Sequence, residues 1–184
     1  IIFSKYPILD TGLVRYPRPT LPDVLLFTDI KYNNDTIRLY TTHLQSNLLN
    51  KNDFERLNKI KSGDDSIVSN SKNILSKLKR GSINRGIQAK VIDEVVDVAP
   101  YPVLLCADLN DVPNSYTYFT VKGDLQDAFL RKGTGIGRTY ASVSPTLRID
   151  YIFADERFKV KQFNRIVKRL SDHYMLVADV ELKK

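Results

Sequence analysis

Residues 103–107 (VLLCA) form a continuous apolar run that constrains the fold more than any other segment. Pro102 precedes this run, and Asp108 follows it directly. A short apolar run with polar boundaries is suited to a β-strand that is buried on both faces. We therefore predict a strand inside a layered fold, with Cys106, the only cysteine, in the core.

Segments on either side of this run also predict strands. Residues 23–32 (DVLLFTDIKY) and 36–44 (TIRLYTTHL) are rich in β-branched and aromatic residues. Residues 33–35 (NND) between them tolerate the backbone of a tight turn, so this region is predicted to be a hairpin. Later strands are predicted at residues 148–154, 159–167 and 174–182.

One long helix is predicted before the apolar run. Ser82 can cap a helix in which apolar residues recur at helical spacing from Ile83 to Val96, and Pro100 and Pro102 then end it. The strands outnumber the helices in this sequence. The mixture indicates an α/β domain with a largely antiparallel sheet system and one long crossover helix.

Length and charge restrict the class of protein further. The 184 residues predict one domain, residues 1–184, and the net charge of +7 is unevenly distributed. Residues 51–90 carry +6, whereas residues 91–150 carry −3. A basic stretch beside an acidic one suits a protein that binds a phosphate anion and holds a divalent cation, although two solvated faces would give the same counts.

The first residues of the sequence are atypical of a natural start. Ile1-Ile2-Phe3 has no initiator Met, basic leader or cleavage-site pattern, and residues 1–8 (IIFSKYPI) are strand-like. We therefore interpret the sequence as the later part of a longer protein.

Polar residues follow or interrupt the predicted strands at several points. These candidates for chemistry are His43, Asp108, Asn110, Asp150, Asp172 and His173. Each has a structural alternative when it is taken singly: a hydrogen-bonded histidine, an Asx-turn, or a carboxylate paired with Arg148. The two histidines of the chain are both in this set, and strand ends are rigid mounts for functional groups.

Five motifs in order resemble the endonuclease/exonuclease/phosphatase superfamily. They are residues 3–8 (FSKYPI), 41–46 (TTHLQS), 106–115 (CADLNDVPNS), 148–153 (RIDYIF) and 170–177 (LSDHYMLV). This superfamily includes deoxyribonucleases, abasic-site endonucleases, sphingomyelinases and inositol-polyphosphate phosphatases. The resemblance implies a DNase-like four-layer α/β/β/α sandwich of mostly antiparallel sheets. Residues 41–46, Arg85 with Gln88, and residues 114–118 are most similar to the bacterial exported or membrane-anchored branch.

The resemblance implies a role for each residue of the last two motifs. Asp172 matches a carboxylate that binds the catalytic Mg²⁺, for which Mn²⁺ can substitute. His173 matches a histidine beside the scissile phosphate, and Asp150 matches the carboxylate that orients this histidine. Mg²⁺ prefers carboxylate and water oxygens, which favours Asp172 over the imidazoles as its ligand.

The earlier motifs imply the remaining catalytic groups. Asp108 and Asn110 match the pair that positions the attacking water and a phosphoryl oxygen. His43 matches a second histidine that contacts the phosphate or assists the leaving group. Either Asp108 or His173 could remove the proton of the water; we name Asp108 as the partner of the nucleophile and His173 as the electrostatic clamp.

Two further residues are substrate-binding candidates. Arg85 could contact phosphate, support the Asp108 loop or form an ordinary surface ion pair. Tyr116 could stack on a substrate base or pack under its own loop.

The resemblance also implies that something precedes Ile1. The first two strands of the family carry an Asn and a metal-binding Glu, and no residue before His43 matches them. We therefore expect residues 1–184 to be the C-terminal portion of the domain, to bind Mg²⁺ weakly, to be poorly active and to self-associate through exposed sheet edges.

The leading functional hypothesis is a Mg²⁺-dependent hydrolase of phosphate esters, more specifically of phosphodiesters. Its substrate would be a nucleic acid, a nucleotide or a phospholipid head group, and no obligate protein partner is inferred. The alternative is a non-catalytic module that uses the basic residues 51–90 to bind nucleic acid or an anionic membrane. The hydrolase hypothesis requires the five motifs to converge on one pocket.

Overall fold

A computed structural model describes residues 1–17, 24–47, 71–141, 146–168 and 170–183. Eight strands and three helices occur in these residues. The strands are β1 (Ile8–Arg15), β2 (Val24–Tyr32), β3 (Asp35–His43), β4 (Val103–Asp108), β5 (Gln126–Asp127), β6 (Asp150–Ala154), β7 (Phe158–Ile166) and β8 (Met175–Leu182). The helices are α1 (Ser71–Asp97), α2 (Tyr116–Lys122) and α3 (Ala128–Lys132).

The strands form two sheets. The larger has the order β1-β2-β3-β4-β6-β5, and β7 pairs with β8 in the smaller. Strands β3 and β4 are parallel, and the other pairs of described strands are antiparallel. A parallel pair needs a long crossover, and α1 lies in the connection between these two strands. The prediction of a mixed α/β domain with mostly antiparallel sheets is therefore confirmed.

Two apolar clusters hold the layers together. One lies between the larger sheet and the helices α1 and α2, and it includes Leu105, Ile92 and Tyr118. The other lies on the opposite face of the larger sheet, where Ala154 packs with Phe158 of β7. The described residues thus form a helical layer, a six-stranded sheet and a two-stranded sheet.

Strand β4 is less completely buried than the sequence predicted. Val103, Leu105 and Ala107 are buried on the face that packs against the helices. Side chains alternate along a strand, so Leu104 and Cys106 lie on the other face. There Leu104 packs near β7 and β8, but Cys106 is exposed. The prediction that Cys106 is a core residue is wrong, because the described part of the second sheet does not cover that position.

Two predicted element boundaries are also wrong. The first strand is Ile8–Arg15, so residues 1–7 of the strand-like run lie outside any strand. Helix α1 begins at Ser71, and Ser82 lies inside it rather than capping it. Ile74 in this additional N-terminal part of the helix is buried, and its apolar contact favours the longer helix. The hairpin at Asn33, where φ is 53°, and the three late strands agree with the sequence to within two residues.

Residues 51–70 of the predicted basic segment lie outside the described residues. No described helix is long and apolar enough to cross a membrane.

A buried ion pair links β5 to the start of β6. The Arg148 guanidinium donates to Asp127 Oδ2 at 2.7 Å, and both side chains are at most 4% exposed. The Asp127 carboxylate also accepts from the Tyr118 hydroxyl at 2.8 Å and caps α3 through the Phe129 N–H. Removing one partner of such a pair leaves an uncompensated buried charge.

We therefore expect Arg148→Met to lower the free energy of unfolding by about 3–5 kcal/mol. Arg157→Met is the matched control, because Arg157 pairs with Asp155 at the surface and is 52% exposed. That change should cost less than about 1 kcal/mol. Urea unfolding followed by far-UV circular dichroism measures both values, and equal losses would contradict the assignment of Arg148 as a buried anchor.

Candidate active site

The ends of two strands and the start of a third lie side by side in the larger sheet. His43 ends β3, Asp108 ends β4 and Asp150 begins β6. In the sheet register His43 is opposite Asp108, and Asp108 is opposite Asp150. Because β3 and β4 are parallel and β6 is antiparallel to β4, the two strand ends and the strand start fall in one row.

Asn110 brings an amide to the same row. Its backbone is in the left-handed region, with φ of 49°, and its N–H donates to Asp108 Oδ1 at 2.9 Å. The side-chain amide donates to the Leu44 carbonyl at 2.9 Å, and its Nδ2 lies 3.1 Å from His43 Nε2. The Asx-turn that sequence reasoning offered as a structural alternative therefore also shapes the site, because it directs the Asn110 amide across to β3.

His173 approaches the row from the segment before β8. Its Nδ1 lies 3.0 Å from each oxygen of the Asp150 carboxylate. Its Nε2 is then directed to the other side, 4.0 Å from Asp108 Oδ2. The same Asp108 oxygen is 3.6 Å from His43 Nε2, so one carboxylate oxygen lies between two imidazoles. The alternative pairing of Asp150 with Arg148 does not occur, since Arg148 binds Asp127.

The electrostatics of the cluster raise the pKa of both Asp108 and His173. Burial raises the pKa of the Asp108 carboxyl, and the nearby Asp150 charge raises it further against the opposing effects of Asn110 and the histidines. Burial lowers the pKa of His173, but the charge of Asp150 and its hydrogen bond outweigh that effect, so the net pKa is raised. The imidazolium form of His173 is thus stabilised by its carboxylate partner.

The donor set fits a hard divalent cation. Ligand atoms of Asp108, Asp150 and His173 lie within 4.8 Å of one another, and the two carboxylates are the donors that suit such a cation, because an imidazolium at His173 has no lone pair to offer. Asp172, the metal ligand expected from the sequence, is exposed and is not part of this cluster. Its carboxylate accepts from the Ser171 hydroxyl at 3.1 Å.

Arg85 is almost fully buried, and its hydrogen bonds hold two loops beside the site. Its Nε donates to Asp111 Oδ2 at 3.0 Å, and its Nη1 donates to the Gln45 carbonyl at 3.2 Å and to Asn47 Oδ1 at 2.7 Å. These bonds join the segment after β3 to the segment after β4. The geometry favours the loop-supporting alternative for Arg85 over direct contact with phosphate.

Tyr116 lies at the start of α2 and is 59% exposed. Its ring faces Gly86 of α1, where an added Cβ would lie 3.5 Å from the ring. Tyr116 therefore lies at the junction of two helices, and none of the described contacts links it to the row of His43, Asp108 and Asp150.

Sequence reasoning missed two residues that fix the loop after β4. Asp111 accepts from Thr117 Oγ1 at 2.9 Å as well as from Arg85. Tyr151 donates its hydroxyl to the Asp111 carbonyl at 2.9 Å. The only signal in the sequence was their position inside the matching motifs, since long-range hydrogen bonds leave no periodicity.

Comparisons with known proteins identify the family of this chain. A sequence model of the Endonuclease/Exonuclease/phosphatase family matches residues 1–173. The chain therefore belongs to this family, whose members are hydrolases that act on phosphate esters. The comparison with curated proteins gives no match.

Solved structures share the fold. An endonuclease/exonuclease/phosphatase from Bacteroides vulgatus is 19% identical with a TM-score of 0.68, over 97% of this chain and 67% of that one. A Bacteroides thetaiotaomicron mannosyl-6-phosphatase is 16% identical with a TM-score of 0.64, over 97% and 68%. D. rerio TDP2 complexed with a single strand DNA product is also 16% identical, with a TM-score of 0.66, over 95% and 68%. Some other similar chains are covered less, down to 46% of their length. The DNase-like fold predicted from the motifs is confirmed.

The left-handed backbone at position 110 gives a test of how the loop is built. Asn110→Gly should keep the free energy of unfolding closer to wild type than Asn110→Ala, because glycine adopts positive φ without a steric penalty. The alanine variant should be about 1 kcal/mol less stable than the glycine variant. Chemical denaturation of both variants measures the difference, and equal stability would show that the loop relaxes to another backbone conformation.

Proposed function

We propose that this protein is a Mg²⁺-dependent hydrolase of phosphate esters, and more specifically of phosphodiesters. The observation that carries the proposal is the convergence of His43, Asp108 and His173, with one Asp108 oxygen 3.6 Å from one imidazole and 4.0 Å from the other. One proton acceptor, the Asp108 oxygen, thus lies between two imidazoles that would face the phosphate. The membership of the family supports phosphate-ester chemistry at that point.

The carboxylate of Asp108 is the proposed partner of the nucleophile. Its Oδ1 is held by the Asn110 N–H, which leaves Oδ2 facing the imidazoles. A water between Oδ2 and the phosphorus atom would lose its proton to this oxygen as it forms the new P–O bond, while the ester P–O bond breaks and the leaving ester oxygen takes a proton from solvent. Burial raises the pKa of Asp108, which makes the carboxylate a better proton acceptor than an exposed aspartate.

The histidines and the amide would neutralise the growing charge on the phosphoryl oxygens. His173 is oriented through Nδ1 by Asp150, so its Nε2 proton points to the side where Asp108 lies. His43 and the Asn110 amide face the same space from β3 and the β4 loop. Fixed donors of this kind stabilise a transition state because they need no reorganisation when charge develops.

Asp172, which lies outside the Asp108–Asp150–His173 cluster, and the carboxylates of that cluster would hold the metal. Carboxylate oxygens are the ligands that Mg²⁺ prefers, and Mn²⁺ accepts the same donors. When bound, the ion supplies positive charge to the phosphoryl oxygens and orients the phosphate.

Hydrolysis of bis-p-nitrophenyl phosphate, by the protein with any residues that precede Ile1, tests this proposal without a choice of natural substrate. We expect turnover with Mg²⁺ or Mn²⁺ that disappears with a chelator and returns when the metal is restored. No metal-dependent turnover on well-folded protein would contradict the proposal and favour the basic binding module. A panel of DNA, RNA, sphingomyelin, phosphoinositides and nucleotide diesters then identifies the substrate class.

Substitutions within the cluster separate the proposed roles. His173→Ala and Asp108→Ala should each lower kcat by roughly 100- to 10,000-fold, because each removes a group that transfers a proton or stabilises charge. Steady-state kinetics measures these losses, and near-UV circular dichroism checks that the fold is retained. Wild-type turnover in either variant would refute the role given to that residue.

Asp150→Asn provides the more selective test. The change keeps the shape of the side chain but removes the charge that stabilises the His173 imidazolium. We expect KM to stay within about threefold of wild type while kcat falls by at least about tenfold. An unchanged kcat would contradict the Asp150–His173 pairing.

A further inference from the structure

The segment Arg138–Ala141 lies between the two chain segments that carry Asp150 and His173. Asp150 belongs to the larger sheet, whereas His173 precedes β8 of the smaller sheet. The two side chains therefore come from separate sheets, and their contact needs a connection that fixes one sheet against the other. We propose that Thr139 and Tyr140 are positioning residues that hold the His173 imidazole against the Asp150 carboxylate.

Thr139 is bonded to the Asp150 side of this pair. Its side chain is buried, with 1% of the residue exposed. The hydroxyl oxygen accepts from the Ile149 N–H at 2.9 Å and from the Asp150 N–H at 3.1 Å. One oxygen thus satisfies two backbone donors at the first residue of β6. Asp150 is the first residue of β6 and Ile149 precedes it, so the threonine hydroxyl accepts the backbone N–H groups where the strand begins.

The backbone of the same segment is bonded to the His173 side. The Thr139 carbonyl accepts from the Tyr174 N–H at 2.8 Å, and the Ala141 N–H donates to the Asp172 carbonyl at 2.7 Å. Tyr140 and His173 form an antiparallel bridge between these bonds. The residues on both sides of His173 are therefore tied to the residues on both sides of Tyr140.

Tyr140 also contacts the imidazole itself. Its ring centroid lies 4.9 Å from that of His173, and the two planes are inclined by 67°. An edge-to-face contact of this kind restricts rotation of the imidazole about its side-chain bonds. The ring is thus fixed from one side by Tyr140 and from Nδ1 by Asp150.

Thr139 and Tyr140 would affect catalysis by keeping the hydrogen bond between Asp150 and His173 in place. His173 Nδ1 is 3.0 Å from both carboxylate oxygens, and hydrogen bonds weaken quickly with distance and angle. A small shift of β6 against the segment before β8 would break this symmetric contact. Neither Thr139 nor Tyr140 needs to touch the substrate for the shift to lower the rate.

Two pairs of substitutions isolate the proposed contacts. Thr139→Val has nearly the same shape but no acceptor, whereas Thr139→Ser keeps the hydroxyl. Tyr140→Leu removes the aromatic edge, whereas Tyr140→Phe keeps it. Thr28→Val is a matched control, because Thr28 is also a buried threonine but lies in β2.

The first readout is the proton NMR signal of His173 Nδ1–H, which a hydrogen bond to Asp150 shifts far downfield. We expect this signal in the wild type, in Thr139→Ser, in Tyr140→Phe and in Thr28→Val. It should be lost or shifted in Thr139→Val and Tyr140→Leu. This measurement does not depend on activity, so it separates the present proposal from the proposed hydrolase function, on which only the kinetic readout rests.

The second readout is the split between kcat and KM on bis-p-nitrophenyl phosphate. Thr139→Val should lower kcat by roughly 10- to 100-fold with KM nearly unchanged, and Thr139→Ser should restore most of kcat. A wild-type Nδ1–H signal in Thr139→Val or in Tyr140→Leu would overturn the proposal. If Thr139→Val does not fold, as judged by a loss of dispersed amide signals, the Tyr140 pair decides between the outcomes.

Discussion

The register of three neighbouring strands is the constraint on which the candidate site depends. His43, Asp108 and Asp150 lie in one row because β3 and β4 run parallel and β6 runs antiparallel to β4. Side chains alternate between the faces of a sheet, so a slip of one residue would move a carboxylate to the opposite face. The apolar residues before Asp108 fix this register, because Val103, Leu105 and Ala107 are buried against the helices.

Buried polar groups next to this row hold the loops of the site in place. Arg85 reaches from α1 to Asp111 on one loop and to the Gln45 carbonyl on another. The first loop contains Asn110, and the second directly follows His43. One guanidinium therefore fixes both sides of the Asn110–His43 contact. A charge-assisted hydrogen bond in a buried position is strong, because water does not compete for it.

The sequence predicted the elements with strong periodicity and the residues within recognisable motifs. The β2–β3 hairpin, the late strands and the convergence of His43, Asp108 and Asp150 followed from strand patterns and from the family resemblance. The start of α1, the exposure of Cys106 and the contacts of Thr139 did not. These features depend on which segments meet in space, and a hydroxyl that bonds a backbone ten residues away leaves no pattern in the sequence.

The crossover between β3 and β4 has a consequence for the order of folding. About 60 residues separate the end of β3 from the start of β4, whereas β2 and β3 are joined by a two-residue turn. Closing a long loop costs more chain entropy than closing a hairpin, so the parallel pair should form after the local antiparallel pairs. The row of His43 and Asp108 then exists only once that closure is complete, and a partially folded chain that contains the β2–β3 hairpin would lack the candidate site.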